Sequence, residues 1–503
     1  MAEAPTHGDL PLSSSSPLSP LDWLMPRTYI RQMLCFSASP STSSSPAASR
    51  NIPGESEVAQ TLRDGLAATA AEVPCLLSRV VGLTYPHGAV GLSRPYQSIE
   101  DMFDVRDVSQ DYSFTELKEK GFPPDVLGRG GFTPETSQSD EEPVFRARLS
   151  LVEGGFVLGI AVHHSTTDIT GFGVLLKTWA ADCRRLRDRS ENWSDLHLID
   201  AAMLDRAAVR DLGSGVAGSD IPSTIPTVLF FRDGEPVPKP AAVAPPSGFA
   251  TAVFYFSPAS LGLLKALATD RLLSVAADVP WVSTSDVLTA LLWSAVVAAE
   301  APPLPLLDGD DKTTSISTIS IPVNFRGRCD PPLSPEYLGA AFARAAASAP
   351  VRELVSMAAL SSAADGDGPQ RHRADTTADT LLAKAAATIR RAIRDQVDGQ
   401  SIRAAVAYTA AQPDITRVKR RPADGISMVS WADQGLCALD WGPHVGRCET
   451  VRLGKMPGRR YPIVLPRLAD GGLEVILSLE AAAMERFRGG ALVRRFGELR
   501  CLA

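Results

Sequence analysis

Residues 144–168 read VFRARLSLVEGGFVLGIAVHHSTTD, and this stretch limits the fold more than any other. Phe145, Ala147, Leu149 and Leu151 alternate with Arg146, Arg148 and Ser150, the period-two pattern of a half-buried strand. Glu153-Gly154-Gly155 supplies a turn, and a second arm puts Phe156, Leu158, Ile160 and Val162 on one face, which makes a hairpin. The chain leaves the sheet at His163 and His164. It then enters a helix from Gly171 to Arg187, with Phe172, Leu175, Leu176, Trp179 and Ala180 at helical spacing. The basic end of that helix, CRRLRDR, complements the negative end of its dipole. A hairpin that hands over to a long amphipathic helix excludes purely helical and purely β architectures and points to an α/β chain.

The remaining pattern repeats this mixture over two comparable halves. RTYIRQMLCF at 27–36 predicts a strand, and Val58, Leu62, Leu66, Ala70 and Val73 draw one helical stripe from an N-cap at Ser56 to Pro74. Between them, residues 37–55 form a Ser/Pro/Ala tract with nothing to bury, expected to be a solvated insertion. The Pro-, Gly- and Ser-rich segment 212–248 reads as a long crossover linker between an N-terminal domain at 20–211 and a C-terminal domain at 249–503. The second half predicts a strand at ATAVFYFS, helices near Leu263–Ala268 and Ser285–Ala299, and a strand at ISTISIPVNFR. A surface insertion at 361–380 is expected to precede a helix through Leu382 and Ile389. ISMVSW, YPIVLPRL, GLEVILSL and the helix AAAMERF complete the chain.

Composition narrows the function classes. With 503 residues, 45% hydrophobic and 21% charged, the chain has ample material for a globular core. Its 50 basic and 57 acidic side chains give a net charge of −7, so no overall basic field draws it to nucleic acid or anionic lipid. Seven scattered cysteines without a CxxC pair fit reduced thiols, and no leader or membrane span is expected, so the expected location is cytoplasmic.

The chemistry concentrates at His164-Ser165-Thr166-Thr167-Asp168. An imidazole suits proton abstraction near neutral pH, and a carboxylate four residues on can order its loop. One of the two adjacent histidines can equally be a satisfied core residue, and the spacing alone does not choose between these readings. Neighbouring side chains on an extended strand point to opposite faces, so the pair is a poor metal site, and none is expected. No GxSxG elbow is present, and Gly128-Arg129-Gly130-Gly131 reads as a turn rather than a phosphate loop.

AVHHSTTDITGFG resembles the HxxxD segment of the BAHD acyltransferases, and LDWGPHVGRCETVRL, preceded by VSWADQGLCA, resembles the segment holding that family's DFGWG motif. The similarity extends through PLDWLMPRTYIRQMLCF, STSDVLTALLWSAV and IPVNFRGRCDPPLSPEYLG, and the fungal branch with trichothecene 3-O-acetyltransferases is the one it resembles. The resemblance implies two chloramphenicol-acetyltransferase-like α/β domains with an active-site channel at their interface. It implies transfer of an acyl group, acetyl above all, from acyl-CoA as co-substrate to a hydroxyl or amine of a small-molecule acceptor. His164 would be the general base, with no permanently bound cofactor and a monomeric chain; the coenzyme A contacts are not indicated. Asp168 would turn from the substrate to pair with an arginine. Asp440 and Gly442 would form the second motif, with Asp440 pairing to Arg326 in the segment Asn324, Arg326, Arg328.

Four positions depart from the family pattern: Ile169 follows the aspartate where glycine is frequent, Trp441 stands for Phe as another aromatic, and Pro443 and His444 replace Trp and Gly. Two competing readings remain at this stage. One is a condensation-type domain using carrier-bound acyl groups, and the other is a non-catalytic relative that binds small molecules.

Overall fold

The computed structural model describes residues 16–38, 55–93, 97–136, 142–187, 199–216, 228–230, 248–301, 315–360, 369–420, 425–454 and 461–503. Its first half is built on the expected hairpin. Strands Phe145–Val152 and Gly155–His163 pair antiparallel across a two-residue turn, Val152 opposite Gly155. Tyr29–Ser37 lies on the other side of the second arm, with Tyr29 opposite His163, and Phe103–Asp107 runs parallel to the first arm. The second arm is buried along its whole length, because the face opposite Phe156, Leu158, Ile160 and Val162 is covered too.

Helices Glu55–Glu72 and Ile169–Arg187 pack over this sheet and bury Leu62, Leu66, Leu176 and Trp179. Ser56 lies one residue inside the first helix and does not precede it. At the end of the second helix, Arg187 pairs with Asp64 at 2.7 Å, tying the two helices together.

The second half holds a five-stranded sheet in the order Val429–Ser430, Ile463–Val464, Leu473–Glu480, Phe249–Phe256, Glu498–Leu502. A three-stranded sheet orders Phe342–Pro350, Ile316–Asn324 and Ile426–Ser427. Residues 426–430 pass directly from one of these sheets to the other. The helix Thr284–Glu300 opens with a reciprocal Ser283/Asp286 capping box and is buried on nearly every face, as its run of Val, Leu, Ala and Trp predicts.

Two expectations change. The later part of the anticipated insertion at 361–380, from residue 369 on, is helix, since a single helix runs Pro369–Gln396; residues 361–368 lie outside the described part. In the anticipated linker, Leu212 ends the helix Arg206–Leu212, and Val228–Phe230 is a strand paired antiparallel to Val418–Arg420. Residues 39–54, 217–227 and 231–247 of the two low-complexity tracts lie outside the described residues.

The halves also interlock. Thr450–Arg452, late in the chain, pairs antiparallel with Tyr29–Ser37 and completes the first sheet as its fifth strand. Leu436, Cys437, Trp441, Val445 and Cys448 join the first core, and so does Leu338. A cut at residue 249 therefore separates the chain in sequence and not in packing.

Candidate active site

The turn after the histidine strand is almost entirely interior. Ser165, Thr166, Thr167 and Asp168 are buried, while His164 is partly exposed. The two histidines divide the readings left open by the sequence. His163 is 2% exposed and packs edge-on against Tyr29. Its Nδ1 accepts the Ser165 backbone N–H at 3.2 Å, which leaves the ring proton on Nε2, 3.4 Å from Glu142 Oε2. Burial, aided by the Arg27 and His164 charges, pushes its pKa down to about 3, so it stays neutral. It is the core histidine.

His164 faces the other way. Its backbone N–H is held by the Thr28 carbonyl at 2.7 Å, and its Nδ1 lies 3.1 Å from the Thr167 carbonyl. A carbonyl can only accept, so Nδ1 carries the proton and the lone pair sits on Nε2. The ring lines a cavity of about 570 Å³ between the halves, walled by Ile169 and Lys177 on one side and by Asn324, Phe342 and Trp431 on the other. A cavity of that size holds a drug-sized molecule or a substrate with part of its donor.

Asp168 does not act as a partner of His164. Its Oδ1 accepts the Gly171 N–H at 2.9 Å at the start of the helix and Arg326 Nη2 at 2.9 Å. Its Oδ2 accepts Arg326 Nη1 at 3.0 Å and the Ala341 N–H at 2.8 Å. Burial alone would raise this carboxyl, but the Arg326 guanidinium and these hydrogen bonds outweigh it and hold the pKa below the usual carboxylate range. Arg326 also donates to the Tyr337 and Gly339 carbonyls and to Asn324 Oδ1. The bidentate pair thus fixes the histidine turn to the segment 337–341 of the second half.

This corrects one expectation. Arg326 is the partner of Asp168, not of Asp440. Asp440 is one-third exposed; its Oδ1 caps the Gly442 N–H at 3.0 Å, and its Oδ2 is 3.6 Å from Arg447 Nη2. The physical reason is topological: the chain enters the first core at Trp441, which packs against Trp179 and Phe36, so Asp440 is left at the rim. Gly442 is needed there, because at φ +91° it lies against the Arg184 backbone, where a Cβ would come within 3.1 Å of Arg184 Cα. His444 lies 3.7 Å from Glu57, and neither His444 nor Pro443 lines the cavity.

Other residues that build the site had no such local signature. Asp22 is fully buried and accepts the Ala340 N–H at 2.8 Å, while Arg206 reaches both Asp22 and the Thr166 carbonyl. Asp22 and Asp168 therefore grip consecutive backbone amides, Ala340 and Ala341. Ser19-x-x-Asp22 does read as a capping box, and it is one, but its hold on residue 340 is invisible along the chain. Gln434 bridges the Gln32 side chain and the Ile169 carbonyl, at 2.8 and 3.1 Å. Ile169, where a glycine is frequent in related sequences, simply begins the helix and lines the cavity. Among the described residues, no group of three or more His, Cys, Asp or Glu side chains is placed to hold a metal, and all seven cysteines are unbridged.

Known proteins are similar to this chain in sequence and in fold. The eremophilane O-acetyltransferase prx11 of Penicillium rubens is 24% identical over 514 residues, covering 95% of this chain and 97% of that protein. The trichothecene 3-O-acetyltransferase TRI101 of Fusarium sporotrichioides is 24% identical over 86% of this chain and 87% of its own length. The crystal structure of F. graminearum TRI101 complexed with coenzyme A and deoxynivalenol matches with a TM-score of 0.74 at 20% identity, over 97% of this chain and 99% of that one. A model of trichothecene 3-O-acetyltransferase-like N-terminal domains matches residues 29–183, the part that carries the histidine turn and its helix. The Transferase family model runs further, over residues 108–491, and so takes in His164, Arg326 and the Asp440 segment that interlocks the halves; the chain belongs to this family, that of the BAHD acyltransferases.

Proposed function

We propose that the protein is an acyl-CoA-dependent O-acyltransferase that moves an acetyl group to a hydroxyl of a specialised metabolite, with His164 as general base. The observation that carries this is the His164 ring itself: Nδ1 is tied to the Thr167 carbonyl, which directs the basic Nε2 lone pair toward the cavity between the halves. The acetyl donor and the metabolite acceptor follow from what the relatives' names say of those proteins.

The reaction balances without a metal or an acyl-enzyme. Nε2 takes the proton of the acceptor hydroxyl as its oxygen attacks the thioester carbonyl, and a tetrahedral oxyanion forms. The C–S bond then breaks, the imidazolium returns the proton to the departing thiolate, and ester and free coenzyme A remain. Asp168 takes no proton in this scheme. It is a positioning residue, since both its oxygens are already engaged by Arg326, Gly171 and Ala341. Much of the remaining acceleration comes from holding donor and acceptor together in one cavity. The same reading has the chain acting as a monomer in the cytoplasm.

The test is release of free coenzyme A by the purified protein given acetyl-CoA and a panel of hydroxylated terpenoids, polyketides and alkaloids. His164→Ala should lower the acceptor-dependent rate by about 10² to 10⁴ while leaving the circular dichroism spectrum unchanged. A variant as active as the parent would remove His164 from the base role.

A further inference from the structure

Ile169 puts a branched side chain directly after Asp168, where the family pattern has glycine. It is the first residue of the helix Ile169–Arg187, and with Thr170, Gly173 and Val174 it forms the face of that helix that lines the cavity. Side chains on a helix lean toward its N-terminus, so Ile169 leans toward the histidine turn and not along the helix. Ile30 reaches the same cavity from the neighbouring strand, where it pairs with Val162, two residues before His164. The Ile169 backbone is held on both sides. Before it, the Asp168 carboxylate is gripped by Arg326 and by the Gly171 and Ala341 N–H groups. After it, the Ile169 carbonyl accepts Gln434 Nε2 at 3.1 Å, and Gln434 Oε1 accepts the side chain of the fully buried Gln32. Gln434 also covers the next turn of the same face, because a Cβ at Gly173 would come within 3.3 Å of Gln434 Cγ. A β-branched side chain on a helix has one strongly preferred rotamer. Ile169 therefore can neither move off with its backbone nor fold back along the helix.

The chemistry says which group meets this fixed wall. The tetrahedral carbon formed beside His164 carries the acceptor oxygen, the thioester sulfur, the oxyanion and the acyl chain. Oxygen and sulfur lead away to large bodies that need the open cavity, and the oxyanion is a single atom, so the acyl chain is the substituent that ends against the wall. We propose that Ile169 is a specificity-determining residue that limits the length of the transferred acyl group, by filling space beside His164 that a glycine would leave open. This rests on the acyl-CoA reading given under Proposed function. Packed side chains in tethered backbone do not yield to an extra methylene without strain, so each carbon beyond acetyl is penalised. The acceptor is selected elsewhere in the cavity.

The experiment measures calorimetric dissociation constants for S-ethyl-, S-propyl- and S-hexyl-coenzyme A, thioethers that cannot be hydrolysed, with the parent protein, Ile169→Val and Ile169→Gly. The parent should bind the hexyl compound at least about tenfold more weakly than the ethyl one. Ile169→Gly should narrow that ratio by about tenfold. Ile169→Val keeps the branching and removes one methylene, so it should favour the propyl compound over the ethyl one relative to the parent while still rejecting hexyl; it carries the test if the glycine variant does not fold. A merely structural role for Ile169 would weaken all three ligands alike and leave the ratios unchanged. A parent that binds hexyl as tightly as ethyl, or folded variants that keep the parent's ratios, overturn the length limit and leave the acyl-CoA reading standing. A parent that binds neither coenzyme A nor any of the thioethers overturns the donor reading and the length limit with it.

Discussion

Adjacent residues of one type, His163 and His164, have opposite environments because the strand ends between them. His163 still points into the core beside Tyr29, whereas His164 lines the cavity. Their titration should separate accordingly. The His163 pKa is depressed in the folded chain, so the unfolded state binds the extra proton as pH falls below about 6.5 and the folded state resists until about 3. Stability that is fully present above the unfolded value is therefore lost through that window, on the order of a few kcal/mol. His163→Gln should flatten this part of a thermal-midpoint-against-pH profile, whatever its effect on absolute stability. An unchanged slope would mean that His163 takes up a proton without resistance in the fold. Asp168, also depressed, adds pH dependence only at lower pH: its stabilisation is fully present above the ordinary carboxylate value of 3.8 and is lost as pH falls through the folded value.

The two aspartates make a second residue-level contrast. Asp168→Asn strips a buried guanidinium of its counter-ion and should cost about 3 to 5 kcal/mol in chemical denaturation. Asp440→Asn removes an exposed, long ion pair and should cost under about 1 kcal/mol. Equal costs would restore a buried pairing to Asp440. The sequence resemblance placed both aspartates in motifs and implied an arginine for each. It could not say which arginine met which, because that depends on residues 158 positions apart along the chain.

At the scale of elements, the hairpin, the helix after it and the capped helix Thr284–Glu300 were all legible, since period, turn residues and caps are local properties. The extent of Pro369–Gln396 was not. Its first turns are polar and resemble low complexity, so pattern alone did not reveal that the helix begins at Pro369. The Asp440 turn is the element where local and tertiary demands coincide. Gly442→Ala would impose a side chain on a left-handed backbone and push it against Arg184, costing about 1 to 2 kcal/mol or more. Urea denaturation should show that loss, and a neutral result would mean that the turn relaxes freely away from the helix.

For the whole molecule, the seam between halves is unusually well connected. Arg452, from the strand that completes the first sheet, is 2% exposed and pairs through both terminal nitrogens with Glu474 of the second sheet. Arg326–Asp168 and Asp22–Ala340 cross the same seam beside the cavity. Because these buried charges find their counter-charges or amide partners across the boundary, neither half can part from the other without exposing buried charge. Calorimetry should therefore record one cooperative unfolding transition for the full chain, and two well-separated transitions would show that the halves fold independently.

By itself the sequence determined the α/β class, the strand-to-helix site of the histidines, the two motif segments and, through them, the family, because each is written in contiguous residues whose spacing carries the physics. Only the tertiary structure decided which histidine faces the cavity, that Arg326 holds Asp168, that Asp22 and Asp168 grip neighbouring amides, and that residues 436–452 finish the first half. Those outcomes depend on burial and on partners far apart in the chain, where the cost of an unpaired buried charge selects one arrangement among several that local pattern permits equally.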